Sequence, residues 1–277
     1  MAKIIFHTDA LTEEQQTQIE SKLNLTPIKV ANHYQVETDR TDRKTLQQLS
    51  ETLQIDINLL PDTFSAKEVK LVISDMDSTL IGIECVDEIA DMMQIKPQVA
   101  AITEAAMRGE LDFAGSLKQR VQLLKGLPES ALKTVYEEHL FLNPGAEEWL
   151  TGLKSRNIAF ALVSGGFTYF TDRLKKELDI DYTRSNKLHF EDGILTGEIE
   201  GDIVGPEAKA AFLLELCGLL NIKPAQVIAI GDGANDLMMM AEAGLSIAYR
   251  AKPTVQEHSM TALNFSALDK VLDFIDA

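Results

Sequence analysis

Two carboxylates stand two residues apart in Asp75-Met76-Asp77-Ser78-Thr79, directly after the apolar run Val69-Lys70-Leu71-Val72-Ile73. Carboxylates this close repel one another unless a cation or a shared proton neutralises them. Such a pair holds a divalent metal, attacks an electrophile, or exchanges protons with a substrate. A polar turn after a strand is the plainer use of Asp and Ser. Two further segments argue against that plainer use. Ser164-Gly165-Gly166 follows an apolar run at 158–163, and Gly231-Asp232-Gly233-Ala234-Asn235-Asp236 follows another at 227–230.

Each segment brings its own chemistry. Ser164 offers a hydroxyl, and Gly165 and Gly166 let backbone N–H groups approach an anion at the start of a following helix. Asp232 and Asp236 add carboxylates, giving an oxygen-rich site suited to Mg²⁺. Asn235 has the donors to bond phosphate or orient an acid. Lys209 falls in the first turn of a helix expected over 207–220, where a cation opposes the helix dipole. Other motifs fail: the segment from Gly231 ends in Asp where a dinucleotide fingerprint needs Gly. Leu162 stands where a hydrolase nucleophile elbow needs Gly. The five histidines show no ligand spacing.

The elements that must position these groups alternate strand and helix, which predicts a parallel sheet covered on both faces, with ligands at the carboxyl ends of its strands. Strands are expected at 70–74, 158–163, 227–230 and 245–248. Helical periodicity fills about 82–143, too long for a crossover and therefore a cap over the sheet edge. Asp192-Gly193 predicts a β-hairpin within 188–204. Residues 1–66 read separately, as a strand at 3–7, a helix at 12–23, strands at 28–30 and 34–37, a helix at 42–53 and a strand at 55–59. That β-α-β-β-α-β order is ferredoxin-like.

Composition narrows the partners. The 277 residues are 45% hydrophobic and 25% charged, as in an ordinary globular protein, and the net charge of −17 opposes nucleic acid and anionic membranes. No apolar stretch is long enough to span a bilayer, and residues 1–10 lack a secretory pattern. Cys85 and Cys217 are too few for a disulfide scaffold, so a cytoplasmic protein with reduced thiols is expected.

Asp-x-Asp-x-Thr after a first strand, Ser after a second, a downstream Lys and Gly-Asp-Gly-x-Asn-Asp after a later strand resemble the four motifs of the haloacid dehalogenase-like phosphatases, over residues 67–277. Asp-Met-Asp-Ser-Thr followed at once by an all-helical cap is similar to the phosphoserine-hydrolysing members. The resemblance implies that Asp75 attacks phosphorus and that Asp77 protonates the leaving oxygen and later deprotonates water. It implies Mg²⁺ on the Asp75 carboxylate, the Asp77 carbonyl and Asp232, with Asp236 behind them. Ser164, Gly165 and Lys209 would bind phosphoryl oxygens. Glu84 would meet the substrate ammonium, Arg120 its carboxylate, and Met107 and Phe113 would form an apolar wall. Transfer of the phosphoryl group to an alcohol such as homoserine, or a silent amino-acid sensor, are the alternatives. Residues 1–66 look like an ACT-type regulatory domain, which implies a homodimer through that unit.

Overall fold

The computed structural model describes residues 2–38 and 42–277, without the side chain of Met107, which the sequence places in the apolar wall. Strands β1 (Ala2–Phe6), β2 (Ile28–Val30), β3 (His33–Thr38) and β4 (Ile57–Leu60) form an antiparallel sheet in the order β2-β3-β1-β4. Helices α1 (Glu13–Leu23) and α2 (Arg43–Leu53) complete the expected β-α-β-β-α-β order. The α1 terminus is set by a reciprocal pair: Gln15 N–H donates to the Thr12 hydroxyl at 3.1 Å, and Thr12 N–H to the Gln15 side chain at 3.0 Å. Alternation along β1 decides what each face covers. Ile4 and Phe6 pack with Ile19, Leu46 and Leu49 of the two helices, whereas Ile5 joins the core of the larger sheet.

A polar seam completes that junction. The Asp56 carboxylate accepts the backbone N–H groups of Asn264, Phe265 and Ser266 at 2.7 to 3.0 Å. This use of residue 56 accompanies a start for β4 two residues later than the sequence predicts. The Asn58 amide exchanges two hydrogen bonds with the backbone of Ala262, at 2.8 and 2.9 Å. His7 and His33, scattered in sequence, converge on buried Asp273 at 3.0 and 3.6 Å. Burial pushes the Asp273 carboxyl up, but the His33 and His7 imidazoles beside it outweigh that and hold it below the ordinary carboxylate value.

The larger sheet has the order β11-β10-β9-β5-β6-β7-β8. Its strands are β5 (Leu71–Ser74), β6 (Ala159–Phe167), β7 (Tyr182–Glu191), β8 (Ile194–Glu200), β9 (Val227–Gly231), β10 (Leu245–Tyr249) and β11 (Thr261–Leu263). All pairings are parallel except β7 with β8, the hairpin turning at Asp192-Gly193. The hairpin's first strand starts at Tyr182 rather than 188, because its early residues pair with β6. Short β11 carries too little pattern to be read from sequence.

Helices cover both faces, as the doubly apolar strands require. α9 (Pro206–Leu220) and α10 (Leu237–Glu242) pack Phe212, Leu213, Met239 and Met240 on Leu71 and Ile73. α7 (Ala146–Ser155), α8 (Thr168–Glu177) and the terminal α12 (Val271–Ile275) bury Trp149, Phe170 and Phe274 on the opposite face, and short α11 (Pro253–Glu257) precedes β11.

The cap is helical, as predicted: α3 (Cys85–Met92), α4 (Lys96–Met107), α5 (Phe113–Leu123) and α6 (Glu129–Thr134), then a wide turn over Val135–His139. Its two chain crossings are zipped together. Gly82 N–H bonds Phe141 O at 2.9 Å, Asn143 N–H bonds Leu80 O at 3.0 Å, and the Asn143 amide bonds the carbonyls of Thr79 and Ile81.

Candidate active site

Three strand ends converge, as parallel register demands. Ser74 of β5 lies opposite Leu162 of β6 and Ile230 of β9, so the residues following each strand face one another. Asp75 N–H still bonds Ile230 O at 3.0 Å, and the residue is buried. The chain then turns sharply: Asp77 has φ −65°, ψ 136°, and Ser78 sits at φ 55°, ψ 1°. A left-handed serine costs about 1–2 kcal/mol, offset here by two bonds. Ser78 N–H donates to Ile83 O at 3.1 Å and its hydroxyl to Glu84 Oε1 at 2.6 Å.

That turn sends the paired carboxylates to different partners. Asp77 Oδ1 accepts the N–H of Cys85 at 2.9 Å, and Oδ2 accepts the Ser164 hydroxyl at 3.3 Å. Asp75 Oδ1 instead meets Lys209 Nζ at 2.5 Å. The lysine is fully buried and also bonds Asp236 Oδ1 at 2.6 Å, while Asp236 Oδ2 accepts Gly233 N–H at 3.1 Å. With each oxygen engaged, Asp236 anchors the lysine. Asp232 Oδ1 accepts the Thr79 hydroxyl at 3.3 Å.

The glycines of the second segment are fixed by close approach. A Cβ on Gly166 would lie 2.8 Å from Asp77 Oδ2, and one on Gly165 would lie 2.8 Å from the Phe113 ring. One sequence expectation is corrected here. The strand continues through Gly165 and Gly166 to Phe167, and Gly166 N–H is taken by the Ser164 hydroxyl at 2.7 Å rather than opening a helix. The helix starts at Thr168.

Electrostatics follow from burial. Burial and the neighbouring Asp236 push the Asp75 carboxyl well above its ordinary value, against the pull of Lys209. Burial also raises Asp77, against its bonds to Cys85 and Ser164. Asp232 is pushed up to about 6 by burial and Asp236. Burial would lower Lys209, but Asp236 and Asp75 outweigh it and raise it. One ammonium thus faces three carboxylates whose oxygens at Asp75, Asp232 and Asp236 come within 4.8 Å of one another. A hard divalent cation bound by oxygen fits that excess of negative charge.

The cap closes over this cluster. Glu84 precedes α3 as an exposed residue, yet desolvation of its carboxyl and the charge of Asp77 push that carboxyl up to about 8. Arg120 of α5 is lowered by burial, against the attraction of Asp87, Glu84 and Asp77, and its Nε is buried without a hydrogen-bond partner. Phe113 lies over Gly165 and Gly205, whereas the Asn235 side chain folds back beside Gly233. The sequence reading missed the groups that aim these residues: the hydroxyls of Ser78 and Thr79, and the N–H of Cys85. Ser78 and Thr79 were visible inside the first motif, but only the folded turn shows what they hold.

The model of the haloacid dehalogenase-like hydrolase family matches residues 69–244. A phosphoserine phosphatase of Polaromonas sp. (strain JS666 / ATCC BAA-500) is 54% identical over 224 residues, 79% of this chain and 95% of that protein. The unliganded crystal structure of a probable phosphoserine phosphatase from Vibrio cholerae superposes with a TM-score of 0.86 at 38% identity, covering 99% of this chain and 86% of that one. A phospho-aspartyl intermediate analogue of phosphoserine phosphatase matches with a TM-score of 0.70 at 38% identity, over 74% of this chain and 98% of that one. With that family model over most of its length and that relative at 54% identity, this chain belongs to the haloacid dehalogenase-like hydrolases, in their phosphoserine phosphatase branch.

Proposed function

We infer that this chain hydrolyses O-phospho-L-serine to L-serine and phosphate through an aspartyl-phosphate. The observation that carries the reading is the division of labour between Asp75 and Asp77. Asp75 lies against a fully buried lysine, whereas Asp77 turns away to Ser164 and the first residue of α3. Asp75 is the nucleophile: its oxygen bonds phosphorus as the bond from phosphorus to the serine oxygen breaks. Asp77, whose carboxyl burial raises, gives its proton to that oxygen, then accepts one from the water that releases phosphate. Ser164, Gly165, Lys209 and Asn235 are assigned to the phosphoryl group.

Metal dependence follows from the family, and we assign the ion as Mg²⁺ on Asp75, Asp232 and the Asp77 carbonyl, with Asp236 behind them. When bound, such an ion withdraws charge from the phosphoryl oxygens. Substrate choice is assigned to Glu84, for the ammonium, and to Arg120, whose unpartnered Nε suits a carboxylate. Met107 and Phe113 are assigned to the apolar wall.

We further propose residues 1–66 as an ACT-like unit and 67–277 as the catalytic unit, with its cap at about 82–143. Exposed Ile28 on edge strand β2 supports a homodimer through the first unit. Two buried free thiols support a cytoplasmic setting, and among the described residues no helix is long and apolar enough to cross a membrane. Phosphate release from phosphoserine tests the central reading. Activity is expected with Mg²⁺, none after chelation, and none in Asp75→Asn. Full activity in that variant would overturn it, and phosphorylated homoserine replacing free phosphate would favour transfer.

A further inference from the structure

We propose that Asn186, on β7 and far in sequence from every motif, is a positioning residue that sets the distance between the two halves of the phosphoryl-binding cradle. Its side chain is fully buried and every hydrogen-bonding group of its amide has work within the protein. Nδ2 donates to Gly165 O at 2.9 Å and to Val204 O at 3.4 Å, and Oδ1 accepts Val204 N–H at 2.8 Å. One amide therefore ties the Ser164-Gly165 segment to the residue just before Gly205-Pro206, where α9 starts and carries Lys209 into the site. Lys209 N–H bonds Gly205 O at 2.9 Å, so a shift of that loop passes directly to the lysine's own turn of helix.

The cap reads the same spacing. The Phe113 ring lies 2.8 Å from the Cβ position of Gly165 and 3.0 Å from that of Gly205, and so rests on both segments that Asn186 joins. The far end of the same hairpin is bound to the cap through Gly126 N–H to Leu195 O, Leu195 N–H to Leu127 O, and Glu129 N–H to Gly193 O, at 2.8 to 2.9 Å. β7 and β8 thus connect the cap at one end with the cradle at the other. Reacting groups tolerate little error: a misplacement of about 1 Å can cost about a hundred-fold in rate.

The inference rests on the phosphatase reading above, and wild-type turnover of phosphoserine separates the two. If the wild type is inactive that reading fails; if the wild type and Asn186 variants are equally active, only this one does. Asn186→Ala removes all three bonds, and Asn186→Asp keeps the shape and the Val204 N–H bond while losing the donor to Gly165. In whichever variant folds, kcat/KM is expected to fall about ten- to hundred-fold. Inhibition by vanadate, which occupies the phosphoryl cradle, should weaken in parallel, while inhibition by L-serine changes less than about two-fold. Asn58→Ala, at the seam with the N-terminal sheet, gives a destabilised control and should keep wild-type kcat and both inhibition constants. Equal weakening of vanadate and serine, or wild-type kcat/KM in Asn186→Asp, would overturn the assignment.

Discussion

Asp77 Oδ1 accepts the backbone N–H of Cys85 at 2.9 Å, so the carboxylate two residues after Asp75 also caps the first helix of the lid above it. Glu84, the residue at the N-cap position of α3, makes no capping bond of its own. Asp77 satisfies one of that helix's unpaired donors from eight residues upstream. Cap position and the setting of the proposed general acid are therefore one structural variable.

Replacing Asp77 with Asn separates the two roles. The amide oxygen can still accept the Cys85 N–H, so unfolding should occur close to the wild-type temperature. The proton to be given to the leaving oxygen is lost, and kcat should fall by about 10²–10⁴. Calorimetry and steady-state phosphate release on the same preparation check both halves.

Lys209→Met leaves Asp75 and Asp236 buried without their cation. Removing one partner of a buried ion pair costs about 3–5 kcal/mol. Urea unfolding in a chelator should show a loss of that order. Adding Mg²⁺ should recover part of it if the carboxylate group binds the ion. A stability equal to wild type in chelator would contradict the pairing.

Two glycine substitutions should differ in kind. Gly166→Ala puts a Cβ 2.8 Å from Asp77 Oδ2 and 3.0 Å from Ser164 Oγ, so it disturbs the proposed acid and its hydroxyl donor. A loss of more than about ten-fold in kcat is expected. Gly193→Ala meets no atom within 4 Å but sits at φ +76° in the hairpin turn. It should cost about 1 kcal/mol in stability and leave kcat unchanged.

The His7–Asp273–His33 cluster predicts an acid-sensitive seam. Asp273 is held below its ordinary value in the folded chain, so the folded state binds fewer protons there than the unfolded one. Its contribution is complete above the unfolded value and is lost as pH falls through the folded value, hence below about pH 4. Asp273→Asn should lower the urea midpoint near neutrality and flatten its fall below about pH 4. An unchanged acid limb would show that the carboxylate is not what couples the seam to pH.

The sequence by itself marked the carboxylates and the hydroxyl that meet at the strand ends. Asp75, Asp77, Ser164, Asp232 and Asp236 lie within two residues of where an apolar run stops or in the turn that follows, so local chemistry marks them. Helical periodicity between β5 and β6 likewise marked the cap, and the helices expected from 12 and 42 begin there because Thr12 and Asp42 cap them through nearby residues. Tertiary structure decided who meets whom. Lys209 reaches Asp75 across 134 positions, Asn186 links Gly165 to Val204 from within an ordinary strand, and His7 joins Asp273 across 266. β11 and the extension of β6 through Gly166 belong to the same class. The physical reason is that such pairings depend on strand order and register, which long-range packing sets and local residue spacing does not encode.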